Sequence, residues 1–232
     1  MKYYPVCLRV EGRPCLVVGG GAVAARKAAS LLAAGARVTV VSPELGGELR
    51  ARVEAEEVRH VARRYEPGDL RGYALVYAAT GDAALHAALA REAEQAGVLL
   101  NVVDEPVNCS FIVPAVLARG DLLVAVSTSG ASPALARRIR QDLERLLGPE
   151  YERALTLLST LRAAVADQPF AERQRLFREL LESDLLDSLR GPDPERVDRL
   201  LAEHAGAGMS LASLGVSLEC GRHGQAGADE PG

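Results

Sequence analysis

Apolar positions along this chain follow two periods, and the change from one to the other divides it. Residues 15–18 (CLVV), 37–41 (RVTVV), 74–79 (ALVYAA) and 98–103 (VLLNVV) are short runs rich in β-branched side chains. They are too short for helices and read as strands of a parallel sheet buried on both faces. Between them, residues 22–34 and 83–96 form helices, with Gly35 and Gly97 as natural helix ends and Thr80-Gly81-Asp82 capping the second. Residues 45–56 predict a further helix, 58–62 a short strand, and 67–70 a turn. Residues 3–10 alternate and predict a leading strand, with 11–14 turning into the next. Residues 109–114, the turn at 119–121 and the strand at 122–127 predict a hairpin leaving the sheet. Ser132 and Pro133 then open a helix running to about residue 147. From Pro149 the period is helical, over 151–165, 171–189 and 194–204. Residues 206–232 turn Gly-, Ala- and Ser-rich and predict a disordered tail, and no internal repeat is visible.

Strand–helix–strand alternation predicts an α/β fold of Rossmann type over residues 1–113 and a small helical domain over 149–205. The turn after the first strand, Gly19-x-Gly21-x-x-Ala24, carries the mechanics of dinucleotide binding. Gly19 allows a tight turn, Gly21 lets backbone approach a pyrophosphate, and Ala24 lets the helix pack closely. The helix N-terminus offers free N–H groups and partial positive charge to the phosphates. The acidic residue that usually meets the adenosine ribose is replaced by Ser42 at the end of the second strand, with Glu44 two residues beyond. No Arg or Lys follows until Arg50, so no cation awaits a 2′-phosphate and NAD is favoured over NADP.

Composition narrows the class. With 232 residues, 48% hydrophobic, 4% aromatic and no Trp, the chain holds an α/β or α-rich core. A net charge of −4 argues against a general nucleic-acid binder. No apolar run approaches the roughly 20 residues of a membrane span, and the N-terminus lacks a signal-peptide core, so a cytoplasmic protein is expected. Cys7, Cys15, Cys109 and Cys220 show neither C-x-x-C nor Cys/His spacing, which predicts neither a disulfide framework nor a metal site. His60, His86, His204 and His223 likewise show no ligand spacing.

Two stretches carry candidate chemistry. Asp104 follows the fourth buried run, at the sheet edge where ligands of open parallel sheets bind. There a carboxylate can act as a base, stabilise a developing cation or ligate a metal; equally, it can be a turn residue satisfying its own backbone before Pro106. Glu105 is expected to point away and be exposed. In Ser127-Thr128-Ser129-Gly130-Ala131-Ser132-Pro133, hydroxyls, loop N–H groups and a helix N-terminus make an anion-binding concavity, to which Arg137, Arg138 and Arg140 add charge. The plainer alternative is a helix cap followed by a solvated basic face.

Three blocks, LVVGGGAVAARKAASLLAAGARVTVVSPEL, NVVDEPVNCSFIVPA and LLVAVSTSGASPALARRIRQDLE, resemble in order and spacing the precorrin-2 dehydrogenase domain of siroheme synthases, across residues 3–147. The resemblance implies a homodimeric, NAD-dependent oxidation of precorrin-2, a tetrapyrrole polyanion, to sirohydrochlorin. In some members it also implies insertion of ferrous iron as a substrate. It implies a dimerisation region, here residues 114–148, between the nucleotide and helical domains. It places the family's key aspartate at Asp104 and nucleotide contacts at Ala22, Val23, Pro43 and Glu44. The anion-binding loop of Ser127, Thr128, Ser129 and Gly130, with Arg137, suits such a polyanionic substrate. A loop serine phosphorylated in some members is Thr128 here, a departure that does not carry that regulation over. The methyltransferase domain fused to some relatives is not in this sequence, so the earlier methylation is expected elsewhere. A rival class is an NAD-sensing regulatory module, which needs neither Asp104 nor the hydroxyl loop.

Overall fold

The computed structural model describes residues 2–218. They fall into two compact units, one of residues 2–113 with Ser129–Ser132, the other of Pro114–Thr128 with residues 133–218.

The first unit is an open parallel sheet. Its strands are β1 (Pro14–Val18), β2 (Arg37–Val41), β3 (Val58–Val61), β4 (Leu75–Ala78) and β5 (Leu99–Val102), in spatial order β3-β2-β1-β4-β5. All four strand pairs are parallel, and Val18 stands between Val41 and Ala78 in register. The helices are α1 (Ala22–Ala33), α2 (Gly47–Glu54) and α3 (Ala83–Ala96). Alternation along each strand feeds two cores. Cys15, Val17, Val38, Val40 and Tyr77 pack with Ala24, Ala25, Ala28 and Leu31 of α1. Leu16, Val18, Val76, Ala78, Leu100 and Val102 pack on the other face with Leu89 and Ala93 of α3. Covering both faces removes most of β1, β2 and β4 from water, which is why these runs are almost wholly apolar. The chain winds outward from β1 to β3 and then back through β4 to β5, so the winding reverses between β1 and β4. Ligand crevices of such sheets open beyond the C-terminal ends of the two strands flanking that reversal.

Two expected strands of this unit are not formed. Residues 4–10 make no ladder among the described residues; Tyr4, Val6 and Leu8 are exposed, and only Val10 reaches the core. Alternation alone makes no strand without an edge to pair with. Residues 109–113 instead run back along the outer edge of β5 and bond it through side chains. Ser110 Oγ accepts from the Leu100 amide at 2.8 Å, the Ser110 amide donates to the Leu100 carbonyl, and Asn101 Nδ2 donates to the Phe111 carbonyl. The edge is thereby satisfied without a sixth strand.

In the second unit β6 (Ala115–Arg119) and β7 (Leu122–Val126) form an antiparallel hairpin around Gly120-Asp121, packed on α4 (Pro133–Leu146). Arg119 ties the hairpin to the end of α4 by donating to the Leu147 carbonyl. The helices α5 (Glu150–Ala164), α6 (Phe170–Glu182), α7 (Leu185–Arg190), α8 (Pro194–Ala205) and α9 (Leu211–Leu214) surround a leucine core. The single helix expected over 171–189 is two, because Ser183 is extended (ψ −176°). Its hydroxyl takes over the break, donating to the Leu180 carbonyl and accepting from the Leu185 amide. Residues 206–218 are also folded, correcting the expected tail: Ser210 caps α9 in a reciprocal capping box, and Leu211 and Leu218 are buried. The remainder of the expected tail, 219–232 with Cys220 and His223, lies outside the described residues.

Candidate functional site

The turn after β1 is a close-packed backbone crossing. Gly19 has φ +127°, and a Cβ there would collide with the Ala79 carbonyl beyond β4. A Cβ on Gly20 would collide with the Glu44 carbonyl and come within 2.6 Å of Ser42 Oγ. The Gly46 amide closes the crossing by donating to the Gly20 carbonyl at 2.8 Å. Gly19 and Gly20 are therefore dictated by sterics. Gly21 is different: a Cβ there would meet nothing within 4 Å. It is the N-cap of α1, no side chain caps that helix, and its first turn carries no acidic residue. The first N–H groups of α1 are left open at the crevice, the arrangement that receives a phosphate. Ala24 is fully buried against the sheet, and Ala22 is exposed and Val23 half-buried at the mouth of the turn. These features fit the pyrophosphate of a dinucleotide.

The loop after β2 is less open than its sequence implies. Ser42 is buried, and its hydroxyl donates to the Glu44 carbonyl at 2.7 Å. Its own carbonyl is met by His60 Nε2 at 2.9 Å, which ties the loop to β3. Pro43 and Glu44 are exposed beyond this anchor. Arg50 folds back to donate to the Leu45 carbonyl at 3.2 Å.

Asp104 lies two residues past β5, at the same C-terminal sheet edge as the glycine turn. Its φ is +61°, a left-handed conformation rare outside glycine. The turn is held by Val103, whose amide donates to the Ala78 carbonyl, and Glu105, whose amide donates to the Val102 carbonyl. The Asp104 side chain is exposed and makes no hydrogen bond or ion pair among the described residues. It is not spent on satisfying its own turn.

Glu105 corrects the expectation of an exposed, idle neighbour. One carboxylate oxygen lies 2.8 Å from Nδ1 of His86, and the other accepts from Asn108 Nδ2 at 2.7 Å. These two hydrogen bonds, His86 first, hold its carboxyl below the usual range. His86 is buried on α3, and its Nε2 meets Thr80 Oγ1 at 3.0 Å. This chain of Thr80, His86, Glu105 and Asn108, together with the steric role of Gly20, was not legible beforehand. His86 and Glu105 are nineteen residues apart and share no motif. Gly20 occupies a position that the glycine template leaves free, and its only signal was being the middle of three consecutive glycines.

At the end of the hairpin Ser127 is exposed and Thr128 half-buried, and the next two residues, Ser129 and Gly130, are exposed with φ +54° and +85°. Arg137 is half-buried on α4. Arg138 and Arg140 have partners within the helix, Asp142 at 3.1 Å and Glu144 at 2.7 Å. Arg138 is exposed, as on a solvated face, whereas Arg140 is buried and is not part of one.

The fold and its turn define a Rossmann-type protein whose glycine turn fits the pyrophosphate of a dinucleotide. Residues 6–115 match the family model for putative NAD(P)-binding domains, and residues 119–146 match that for the central part of sirohaem biosynthesis proteins. The siroheme synthase of Methylobacillus flagellatus is 44% identical over 175 residues, covering 75% of this chain and 38% of that protein. That of Pseudomonas aeruginosa is 40% identical over 217 residues, covering 93% of this chain and 47% of the relative. The chain thus spans less than half the length of these curated relatives. The solved structure of SirC, a precorrin-2 dehydrogenase, superposes with a TM-score of 0.71 at 25% identity, covering 88% of this chain and 99% of that one. Over most of its length the chain is thus similar both to part of these siroheme synthases and to the precorrin-2 dehydrogenase SirC, and its two family-model matches lie in that stretch.

Proposed function

We propose that this protein oxidises precorrin-2 to sirohydrochlorin with NAD. The observation that carries the reading is the uncommitted carboxylate of Asp104, at the sheet edge where the open N-terminus of α1 receives a dinucleotide. The likeness to SirC and to siroheme synthases supplies the substrate class.

Bound NAD supplies the hydride acceptor. The macrocycle loses a hydride and a proton, so positive charge develops on it as the hydride leaves. Asp104 stabilises that charge and takes the proton; an anion fixed in a turn costs little reorganisation at the moment of transfer. Gly21 and the first amides of α1, with Ala22 and Val23, hold the pyrophosphate, and Gly19 and Ala24 fix the approach of that helix. Pro43 and Glu44 flank the adenosine ribose, with Ser42 shaping the loop beneath them. An exposed carboxylate at Glu44, with Arg50 turned to the Leu45 carbonyl, favours NAD over NADP. Ser127, Thr128, Ser129, Gly130 and Arg137 receive the substrate's acetate and propionate arms.

The hairpin supports a homodimer. Val116, Ala118, Leu123 and Ala125 lie together on its outer face, all apolar and all exposed, and a second copy is the occupant proposed for it. No helix among the described residues is long and apolar enough to cross a membrane, and we place the protein in the cytoplasm.

The test is anaerobic incubation of the purified protein with precorrin-2 and NAD, following sirohydrochlorin and NADH by absorbance. NAD-dependent formation of both supports the enzyme; dinucleotide binding without turnover supports the regulatory module instead. A parallel arm with ferrous iron reads the second activity, siroheme formation above the spontaneous rate. Asp104→Ala is expected to keep NAD affinity and lose turnover.

A further inference from the structure

We propose that His86 is a positioning residue: acting through Glu105, it holds the left-handed turn that presents Asp104 to the crevice. The proposal rests on the oxidation assigned above and adds a residue on a different element, α3, to the machinery of that site.

Asp104 sits at φ +61°, a conformation unfavourable for a non-glycine residue that persists only when its surroundings over-determine it. The backbone supplies part of that constraint, through the Val103 and Glu105 amides. The rest comes from the Glu105 side chain, the next residue, both of whose oxygens are engaged. Glu105 accepts only, so Nδ1 of His86 carries the proton of that bond. The imidazole is itself fixed, because it is 3% exposed and its other nitrogen meets Thr80 Oγ1. Thr80 lies just beyond β4, next to the Ala79 carbonyl against which Gly19 packs. The loop after β4, the helix α3 and the turn after β5 are thus joined by one run of side-chain hydrogen bonds. A run anchored on one buried side chain, with its hydrogen bonds made, is stiff, and removing that member releases the others. Asn108 closes it locally, its amide also donating to the Glu105 carbonyl.

The experiment compares wild type with His86→Leu, His86→Gln, Glu105→Ala and the double variant His86→Leu/Glu105→Ala. Turnover of precorrin-2 is expressed per NADH-binding site, so that misfolded protein is not counted. NAD affinity and amide hydrogen exchange over residues 103–109 are measured alongside. Misplacing a reacting group by about 1 Å costs on the order of 100-fold, so kcat is expected to fall roughly 10- to 100-fold in His86→Leu and Glu105→Ala, with NAD affinity unchanged. His86→Gln, which keeps a donor for Glu105, is expected to recover part of the loss. The double variant is expected to be no worse than either single variant, because both break one linkage. Exchange over 103–109 is expected to speed up while the amides of β1 and β4 stay protected. Losses that multiply in the double variant, or exchange over 103–109 that does not change, overturn the proposal. So does a fall in melting temperature with kcat per site intact. Should wild type fail to oxidise precorrin-2, the functional reading falls, and the exchange measurement still decides whether His86 holds the turn.

Discussion

Gly20 and Glu44 meet backbone to backbone: a single methyl group on Gly20 would overlap the Glu44 carbonyl oxygen. The turn after β1 and the loop after β2 are therefore one packed unit, and the loop proposed to meet the ribose inherits its position from the turn proposed to hold the pyrophosphate. The Gly46 amide, donating to the Gly20 carbonyl, locks the same contact from the other direction.

Gly20→Ala tests that coupling. The clash is with backbone, which cannot rotate away, so the β2–α2 loop must shift. Overpacking of this kind costs about 1–3 kcal/mol. The expected result is a lower melting temperature together with weaker NAD binding, read by thermal denaturation and by titration of NADH fluorescence. Unchanged affinity would show that the two loops act independently.

Gly21→Asp should move stability and binding in opposite directions. Gly21 has φ −83° and ψ −172°, extended backbone open to any residue, and there is space for a side chain. Aspartate at a helix N-cap gains a few tenths of a kcal/mol over glycine, and its charge favours the N-terminal dipole. The same carboxylate stands where the pyrophosphate must lie, and like charges about 4 Å apart near a protein surface repel by about 4 kcal/mol. Melting should hold or rise slightly, while NAD affinity falls at least tenfold, by about 1.4 kcal/mol or more. A stability loss with affinity intact would remove the pyrophosphate from this turn.

The Rossmann-type unit was legible because its signals are local. Each buried strand is a short apolar run, α1 and α3 are closed by Gly35 and Gly97, and α3 spans residues 83–96 as its pattern predicts. Asp104 was legible as a position, since a residue just past a strand has few places to go. What escaped was set by contacts distant in sequence. Residues 109–113 have the composition of a strand, yet they satisfy β5 through Ser110 and Asn101 side chains, which no period records. Ser42 looked available to a ribose, but its hydroxyl is turned to the Glu44 carbonyl. The expected tail misled because glycine and serine content was read as disorder, whereas Ser210 and Gly215 are the two caps of α9.

Ending the chain after residue 205 should therefore damage the helical unit. Residues 206–218 bury Leu211 and Leu218, each worth about 1.5–3 kcal/mol when fully covered. They also receive bonds from outside: Asp198 accepts from the Leu211 amide at 2.6 Å, and Arg153 donates to the Leu218 carbonyl at 3.0 Å. Arg153 bonds the Leu189 carbonyl as well, so its guanidinium joins the end of α7 to this segment. A chain ending at 205 should melt several degrees below one ending at 218. Equal melting of the two truncated chains would show that the segment decorates the core without supporting it.

Glu105 gives the pH dependence a sign. Hydrogen bonds from His86 and Asn108 hold its folded-state carboxyl below the value it takes in the unfolded chain. A depressed carboxyl binds protons more weakly when folded, so its contribution to stability is complete above the unfolded value, about 4.3 for a free Glu. That contribution is lost as pH falls through the lower folded value. Other carboxyls behave similarly, Asp69 beside Arg63 and Glu179 beside Arg175 among them, so the wild-type curve alone does not isolate this one. The difference between wild type and Glu105→Gln does. Glutamine keeps the shape and cannot titrate, so urea denaturation from about pH 6 to about pH 3 should show the wild-type advantage constant at first and then shrinking on the acid side. An advantage that grows as pH falls would mean the carboxyl is raised in the folded protein, and would remove Glu105 as the anionic acceptor that fixes His86.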